Sequence, residues 1–379
     1  MLIRDLVHAM ERIAPLEYAE PWDRVGLQIG RPDREIDGPV LMTIDLTERV
    51  LAEAIEARAS AVIAYHPPIW EPLKTITGAT ARERILLGAA EAGVAVYVPH
   101  TALDAVPGGI SDWLCEGISG STKPGRILGD CRALEPWRAA ASPMQKIVTF
   151  VPEADLEMVR GALATAGAGR IGAYEVCSFS VGGEGTFMGG EGTNPTVGEA
   201  GRFETVRERR LEMVCPAGSV ALALETLRQF HPYEEPAVDV YDLAPQPRRR
   251  VGVGRRLVLD QETTMGDLAE RLRAHLVRSR VRGTLIDAEL PVRTIGVVPG
   301  AGESLLPVAE REGCDLFITG EMRHHQVLDA LHRGVRVLLA GHTNTERGYL
   351  PRLGAQLEKR LPGLTTRVAE ADVDLLGVM

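Results

Sequence analysis

The chain has 379 residues and a formal charge of -10, from 42 basic and 52 acidic side chains. At about 150 residues per domain, that length excludes a single small core and calls for two domains or one domain carrying a large insertion. Hydrophobic residues at 45% and charged residues at 25% exclude global disorder, and the acidic balance argues against nucleic acid as a partner.

The first stretch, Met1 to about Gly129, opens with apolar residues at helical spacing over Ile3 to Ile13 and carries charges where a signal peptide needs an apolar run. There follow EPWDRVGLQIG, an apolar strand PVLMTIDL, and a helix running to about Ala59 with Thr47 as its N-cap. The strand AVIAY, a loop, a helix near 81–92 and the strand VAVYV complete the stretch. Strands alternating with helices predict parallel βαβ units.

The segment CRALEPWRAAASPMQ (131–145) breaks this pattern, and APQPRRR (244–250) forms a second break. Only four of the 42 basic residues are Lys, so the run Arg248 to Arg250 reflects a chain-wide Arg bias and reads as a solvated linker. Between the breaks lie a strand (KIVTFV), a helix (153–166), a strand (AYEVCSFS), a glycine-rich excursion (182–192), a strand (RLEMVC), a helix (217–229) and a strand (AVDVYDL). That order is βαββαβ, the ferredoxin-like plan. The last stretch resumes alternation: a helix near 265–276, strand TIGVV, helix 303–312, strand DLFIT, helix 323–333, strand VRVLLA and helix 345–360. The predicted fold class is therefore α/β. A discontinuous, two-lobed α/β domain made of residues 1–130 and 250–379 is interrupted by a ferredoxin-like α+β domain at 145–243. No apolar run approaches the roughly 18 residues that span a bilayer. The five cysteines are odd in number and widely spaced, which fits neither a disulfide framework nor a Cys zinc site. A cytoplasmic protein without membrane contact is expected.

Residues able to bind metal follow four predicted strands: His66 after AVIAY; His100 and Asp104 after VAVYV; Glu321, His324 and His325 after DLFIT; His342 and Glu346 after VRVLLA. In parallel α/β sheets the crevice beyond the strand carboxyl ends is where ligands bind, so residues distant in sequence converge there. Each cluster also has a structural reading. His66 lies in a proline-stiffened turn, His100 and Asp104 have the spacing of a simple hydrogen-bonded pair on a helical turn, and Glu346 complements a helix N-terminus. Together they favour a metal centre, since imidazole and carboxylate suit Zn, Mn or Fe, and a carboxylate such as Glu346 can bridge two ions. Glu321, His324 and His325 are candidates for orienting ligands or moving protons, although a polar helix start explains them equally. HPYEEP (231–236) reads as a rigid turn in preference to a ligand pocket, and the glycines at 182–192 as an oligomer-contact loop in preference to an anion cradle.

WDRVGLQIG, YHPPIW with the following PLKTIT, PHTALDAVPGG and GHTNTERG resemble, in order and spacing, the motif series of the NIF-three-like family, whose members are also called homologues of type 2 GTP cyclohydrolase 1. GEGTFMGGEGTNPTVGE and HPYEEPAVDVYDL resemble the CutA- and PII-like insertion of its longer members. The resemblance implies two divalent metal ions per subunit and a toroidal homohexamer capped by trimers of the inserted domains. It implies that His66, Asp104 and Glu346 hold one ion and that His342 and Glu346 hold the other. The family's first motif has two adjacent histidines where this chain has Tyr65-His66, so the second ion loses a ligand at Tyr65, and His100 is the nearest residue to compensate. Two functions follow. One is a metal-dependent hydrolase that activates water against a ring C–N, amide or phosphate ester bond in a small nucleotide or phosphoester. The other is a non-catalytic hexameric metal-binding scaffold, buffer or regulatory protein.

Overall fold

A computed structural model describes residues 1–139, 142–245, 248–276 and 280–375. Residues 140–141 and 246–247, within the two predicted linkers, lie outside the described residues, as do 277–279 and 376–379. The chain forms two compact units, Met1–Trp137 with Arg248–Met379, and Arg138–Pro247.

The first half of the larger unit runs α1 (Ile3–Ile13), β1 (Gly26–Ile29), β2 (Val40–Thr43), α2 (Glu48–Glu56), β3 (Ala61–Ala64), α3 (Ala81–Ala92), β4 (Ala95–Val98), α4 (His100–Ala105), α5 (Ile110–Ile118) and β5 (Asp130–Pro136). The smaller unit is β6 (Met144–Pro152), α6 (Leu156–Thr165), β7 (Phe179–Met188), β8 (Phe203–Pro216), α7 (Val220–Phe230) and β9 (Val238–Asp242). The chain then returns through β10 (Gly252–Thr263), α8 (Met265–His275), β11 (Arg282–Gly283), β12 (Val292–Ala301), α9 (Leu306–Arg311), β13 (Leu316–Glu321), α10 (His324–His332), β14 (Arg336–Leu339), α11 (Asn344–Arg347), α12 (Leu350–Arg360) and β15 (Thr366–Val368). Among the described residues no helix is long and apolar enough to cross a membrane.

The larger unit is a mixed α/β structure with two sheets. The order β1-β4-β3-β2-β15 has a parallel interior and an antiparallel edge at β1. In β11-β14-β13-β12-β10-β5 the strands β12, β13 and β14 are parallel and the flanking strands antiparallel. Strands β2, β3, β4 and β14 are buried at every position, which explains their mostly apolar sequences: both faces are covered. One core joins the two halves. Ile63 and Tyr97 from the first sheet share it with Leu257, Ile295, Ile318 and Leu338 from the second, around Trp113 and Leu114 of α5. Local signals place α2 and α3 where the sequence predicts them. Thr47 accepts a hydrogen bond from the Val50 amide at 3.2 Å to cap α2, and Gly93 ends α3 in the left-handed region at φ +66°.

Three sequence readings change. The predicted linker at 131–145 begins with strand β5, paired with β10 from Asp130↔Val258 to Gly252↔Pro136, and β10 itself follows the Arg run. β5 is an edge strand with exposed Asp130 and Glu135, and β10, inside the sheet, carries glycines and the buried Arg255 among its apolar residues, so neither shows a clean apolar alternation. The expected strand AYEVCSFS starts only at Phe179, and the glycine-rich excursion is largely strand β7, paired with β8 from Phe179↔Glu212 to Met188↔Phe203. Glycines weaken strand propensity, but β7 is an exposed edge whose order comes from its partner. The predicted helix 345–360 is two helices, because Pro351 in the first turn of α12 cannot continue the hydrogen-bond ladder of α11.

The smaller unit has the sheet order β7-β8-β6-β9, antiparallel throughout. Its own core packs Ile147, Val151, Leu211 and Met213 of the sheet against Val159 and Leu163 of α6 and Ala223 and Leu227 of α7.

Candidate metal centre

The site forms where the strands of both sheets end. Past the end of β3 the ladder to β2 continues, with the Tyr65 amide bonded to the Thr43 carbonyl (2.9 Å) and the His66 amide to the Ile44 carbonyl (3.0 Å). His66 is thereby fixed at the carboxyl edge. His342 follows β14, and Glu346 lies in the short helix α11, four residues on and therefore on the same face. Together His66, His342 and Glu346 each present a ligand atom within 4.8 Å of the others. Glu346 is 2% exposed.

The carboxylate of Glu346 divides its oxygens. Oε1 lies 3.5 Å from His342 Nε2, and Oε2 lies 3.6 Å from His66 Nε2. Both separations exceed hydrogen-bond length, and Oε2 is buried with no hydrogen-bond partner. An orphaned buried carboxylate oxygen is costly unless something outside the protein satisfies it. Two ligands held at about 2.1 Å from one tetrahedral ion stand roughly 3.4 Å apart, so the observed spacings suit a cation of that kind. The donor set and the orphaned oxygen thus fit a divalent metal.

Outer groups orient both imidazoles. Asp45 Oδ1 lies 2.9 Å from His66 Nδ1, and Glu321 Oε1 lies 3.0 Å from His342 Nδ1. These carboxylates leave each Nε2 turned toward Glu346, the arrangement by which an outer shell fixes the tautomer of a metal-binding histidine. Asp45 escapes the sequence reading although it obeys the same rule, directly beyond the carboxyl end of β2. Glu321 ends β13 and sits on His342; His324 and His325, at the exposed first turn of α10, make no hydrogen bond or ion pair with the cluster.

Asp104 and Tyr65 form a pair of their own: the Tyr65 hydroxyl donates to Asp104 Oδ1 at 2.6 Å. Burial pushes the Asp104 carboxyl up to about 7, against the lowering influence of that bond and of His100. Burial, with the Asp104 and Glu346 charges, raises the Tyr65 hydroxyl, so it remains a neutral donor. His100 is buried, with its Nδ1 2.8 Å from Asp23 Oδ1 and its ring 5.3 Å from that of His66.

Gly300, another residue the sequence reading passes over, makes room for the cluster. It sits in β12 at φ +62°, and a Cβ there would lie 2.7 Å from Glu346 Oε1 and 3.1 Å from His342 Nε2. Its amide donates to the Thr345 hydroxyl at 2.9 Å, which in turn donates to the His342 carbonyl at 2.6 Å. Gly300→Ala should lower metal affinity about tenfold or more, by displacing Glu346, in a competition titration against a chelating dye. Unchanged affinity would show that Glu346 is free to move.

For His66, burial alone would lower the pKa, but Asp45 and Glu346 outweigh it and raise it from 6.5 to about 10. A histidine raised in this way stabilises the metal-free fold fully below about pH 6.5, and the contribution disappears as pH rises through about 10. A cation must displace that proton. Loading the metal-free protein at pH 8 should therefore release about one proton per centre, read by an indicator in weak buffer; no release would remove His66 from the ligand set.

A family model described as Duf34/NIF3 (NGG1p interacting factor 3) matches residues 1–374. The GTP cyclohydrolase 1 type 2 homolog of Bacillus subtilis is 33% identical over 374 residues, spanning 98% of this chain and 97% of that protein. NIF3-like protein 1 of Bos taurus is 30% identical over 387 residues, spanning 100% and 93%. The crystal structure of a Bacillus cereus protein related to NIF3 aligns at 31% identity with a TM-score of 0.66, covering 100% of this chain and 99% of that one.

Proposed function

The chain belongs to the Duf34/NIF3 family, and from that premise and the geometry of the centre we propose that it is a metal-dependent hydrolase holding two divalent ions, Zn, Mn or Fe, in each subunit. The observation that carries this reading is the division of Glu346: one carboxylate oxygen faces His342 and the other, orphaned and buried, faces His66. A carboxylate so placed could serve two ions: His66, Asp104 and Glu346 would hold one, and His342 and Glu346 would hold the other. The bound metal would supply a water of lowered pKa and a Lewis acid for the leaving oxygen or nitrogen. The protein's share is to hold both Nε2 atoms toward Glu346 through Asp45 and Glu321, and to keep Tyr65 neutral as a hydrogen-bond donor to Asp104. Glu321, half-exposed beside His342, is placed to exchange a proton with solvent.

The names of the relatives support a nucleotide such as GTP, or a related phosphoester, as substrate. We also read the βαββαβ insertion as CutA/PII-like, from its topology, and the assembly as a toroidal homohexamer; five free cysteines suit the reducing cytoplasm. Incubation of the metal-loaded protein with GTP and a panel of phosphoesters tests the reading: turnover lost in Glu321→Gln with metal content retained supports hydrolysis, and no turnover of any compound overturns it. One observation favours the alternative of a non-catalytic metal-binding scaffold. Tyr65 takes Oδ1 of Asp104, which leaves fewer ligand atoms for two ions. Elemental analysis that finds one ion per chain would favour that alternative, and two would favour the hydrolase.

A further inference from the structure

Two exposed indoles stand beside the metal centre, Trp22 at 58% and Trp70 at 46% exposure. Scattered exposed apolar side chains need no explanation, but these two sit on backbone held from both sides. The Ile69 amide donates to Gln28 Oε1 at 3.0 Å and the Ile69 carbonyl accepts from Gln28 Nε2 at 3.4 Å. Arg82 donates to the carbonyls of Pro68 (2.8 Å) and Glu71 (3.3 Å). Trp70 is thus pinned by its neighbours while its own ring remains in water. Around Trp22, Asp23 Oδ2 accepts from the amide and hydroxyl of Thr101, and the Glu20 amide donates to the same hydroxyl at 3.0 Å.

Both indoles meet the ring of His100, Trp70 at 5.3 Å and 88° and Trp22 at 6.0 Å and 76°. Trp70 is also 6.5 Å from the ring of His66, a member of the metal-binding group. His100 has φ +26°, a conformation rare outside glycine, and backbone strain of this kind gathers at functional sites. Contact near a right angle uses one edge or face of each indole and leaves the rest open. Rigid, solvent-facing aromatic surface beside a reactive centre matches what a planar ring requires for stacking. Both oxygens of Asp23 are already taken by His100 and Thr101, so this wall offers apolar faces in preference to a counter-charge for a cation.

We propose that Trp22 and Trp70 are substrate-positioning residues, which stack a planar heteroaromatic ring while His66, His342 and Glu346 address the bond to be cleaved. The inference rests on the hydrolase reading of the same centre and adds what that centre lacks: a means of holding the part of the substrate that does not react.

The test is calorimetric titration of the full-length, metal-loaded protein with guanosine 5′-monophosphate and with ribose 5-phosphate, two probes that differ by the ring alone. The nucleotide should bind more tightly than the sugar phosphate. Trp70→Ala should raise the Kd of the nucleotide about five- to hundredfold, leave that of ribose 5-phosphate unchanged, and be rescued to within about threefold by Trp70→Phe. Trp22→Ala should act in the same direction. Equal binding of the two probes, or unchanged nucleotide binding in both alanine variants, overturns the proposal. Because the readout is binding, ring-selective affinity in a protein without turnover would sink the hydrolase reading and leave the stacking site standing.

Discussion

Glu346→Gln should abolish the stabilisation that added metal confers, yet leave the metal-free protein as stable as the parent or slightly more so. The two halves of this result have different causes. In the metal-free state, Glu346 keeps a buried oxygen with no hydrogen-bond partner, and leaving such a group unsatisfied costs about 1–3 kcal/mol, more when it is charged. The amide is close to isosteric and carries no charge, so that burden is reduced. Part of the gain is offset, because His66 loses one of the two carboxylates that raise its pKa. In the metal-bound state Glu346 is the member of the group that faces both histidines, and without its charge both lose the carboxylate they share. A cation present at a thousandfold excess over its Kd stabilises by about 4 kcal/mol, and the variant should show little of this. All four tryptophans, Trp22, Trp70, Trp113 and Trp137, lie in the α/β unit, so intrinsic fluorescence reports that unit's melting alone. A metal-induced shift equal to that of the parent would show that the cation binds elsewhere.

What could be read from the sequence depended on whether a residue's role was local. His66, His342 and Glu346 each lie beyond a mostly apolar strand, and strands in a parallel sheet end on one edge, so their convergence was legible before any coordinates. Asp45 obeys the same rule, but TIDL reads as the continuation of a strand, and only the observed end of β2 at Thr43 places the carboxylate beyond it. The role of Tyr65 was not legible. A tyrosine where a ligand is expected looks like a loss, whereas its hydroxyl in fact bonds Asp104, a contact made across 39 positions of chain. Gly300 leaves no pattern, and the two exposed tryptophans, although they fall in WDRVGLQIG and YHPPIW, show no role there, since clearance for a carboxylate and rigidity of an exposed ring exist only in three dimensions. The edge strands β5 and β7 were hidden for a related reason: an edge takes its order from its partner, so charge and glycine are tolerated there.

Arg255→Met should destabilise the α/β unit by about 3–5 kcal/mol, the cost of leaving a buried charge without its partner. Arg255 is fully buried and lies in β10, just after the chain returns from the insertion. Its guanidinium pairs with Asp112 of α5, which is 2% exposed, and donates to the carbonyls of Gly252 (2.9 Å), Gly254 (2.7 Å), Ala105 (3.3 Å) and Val106 (2.9 Å). Methionine fills much of the volume but satisfies none of these acceptors. Arg250, 3.3 Å from the other oxygen of Asp112, is more exposed and compensates only in part. Asp112→Leu should cost less, because Arg255 keeps its four carbonyls. The double variant should lose less than the sum of the singles, which is the mark of a coupled pair. Urea unfolding followed by tryptophan fluorescence would give these values, and a loss below about 1 kcal/mol for Arg255→Met would show that water or Arg250 takes over. The centre should feel the change as well. Ala105 and Val106 directly follow Asp104, so the same arginine that closes the interrupted domain also holds the end of the helix that brings Asp104 and His100 to the site. Metal affinity should therefore fall in Arg255→Met even at temperatures where the unit remains folded.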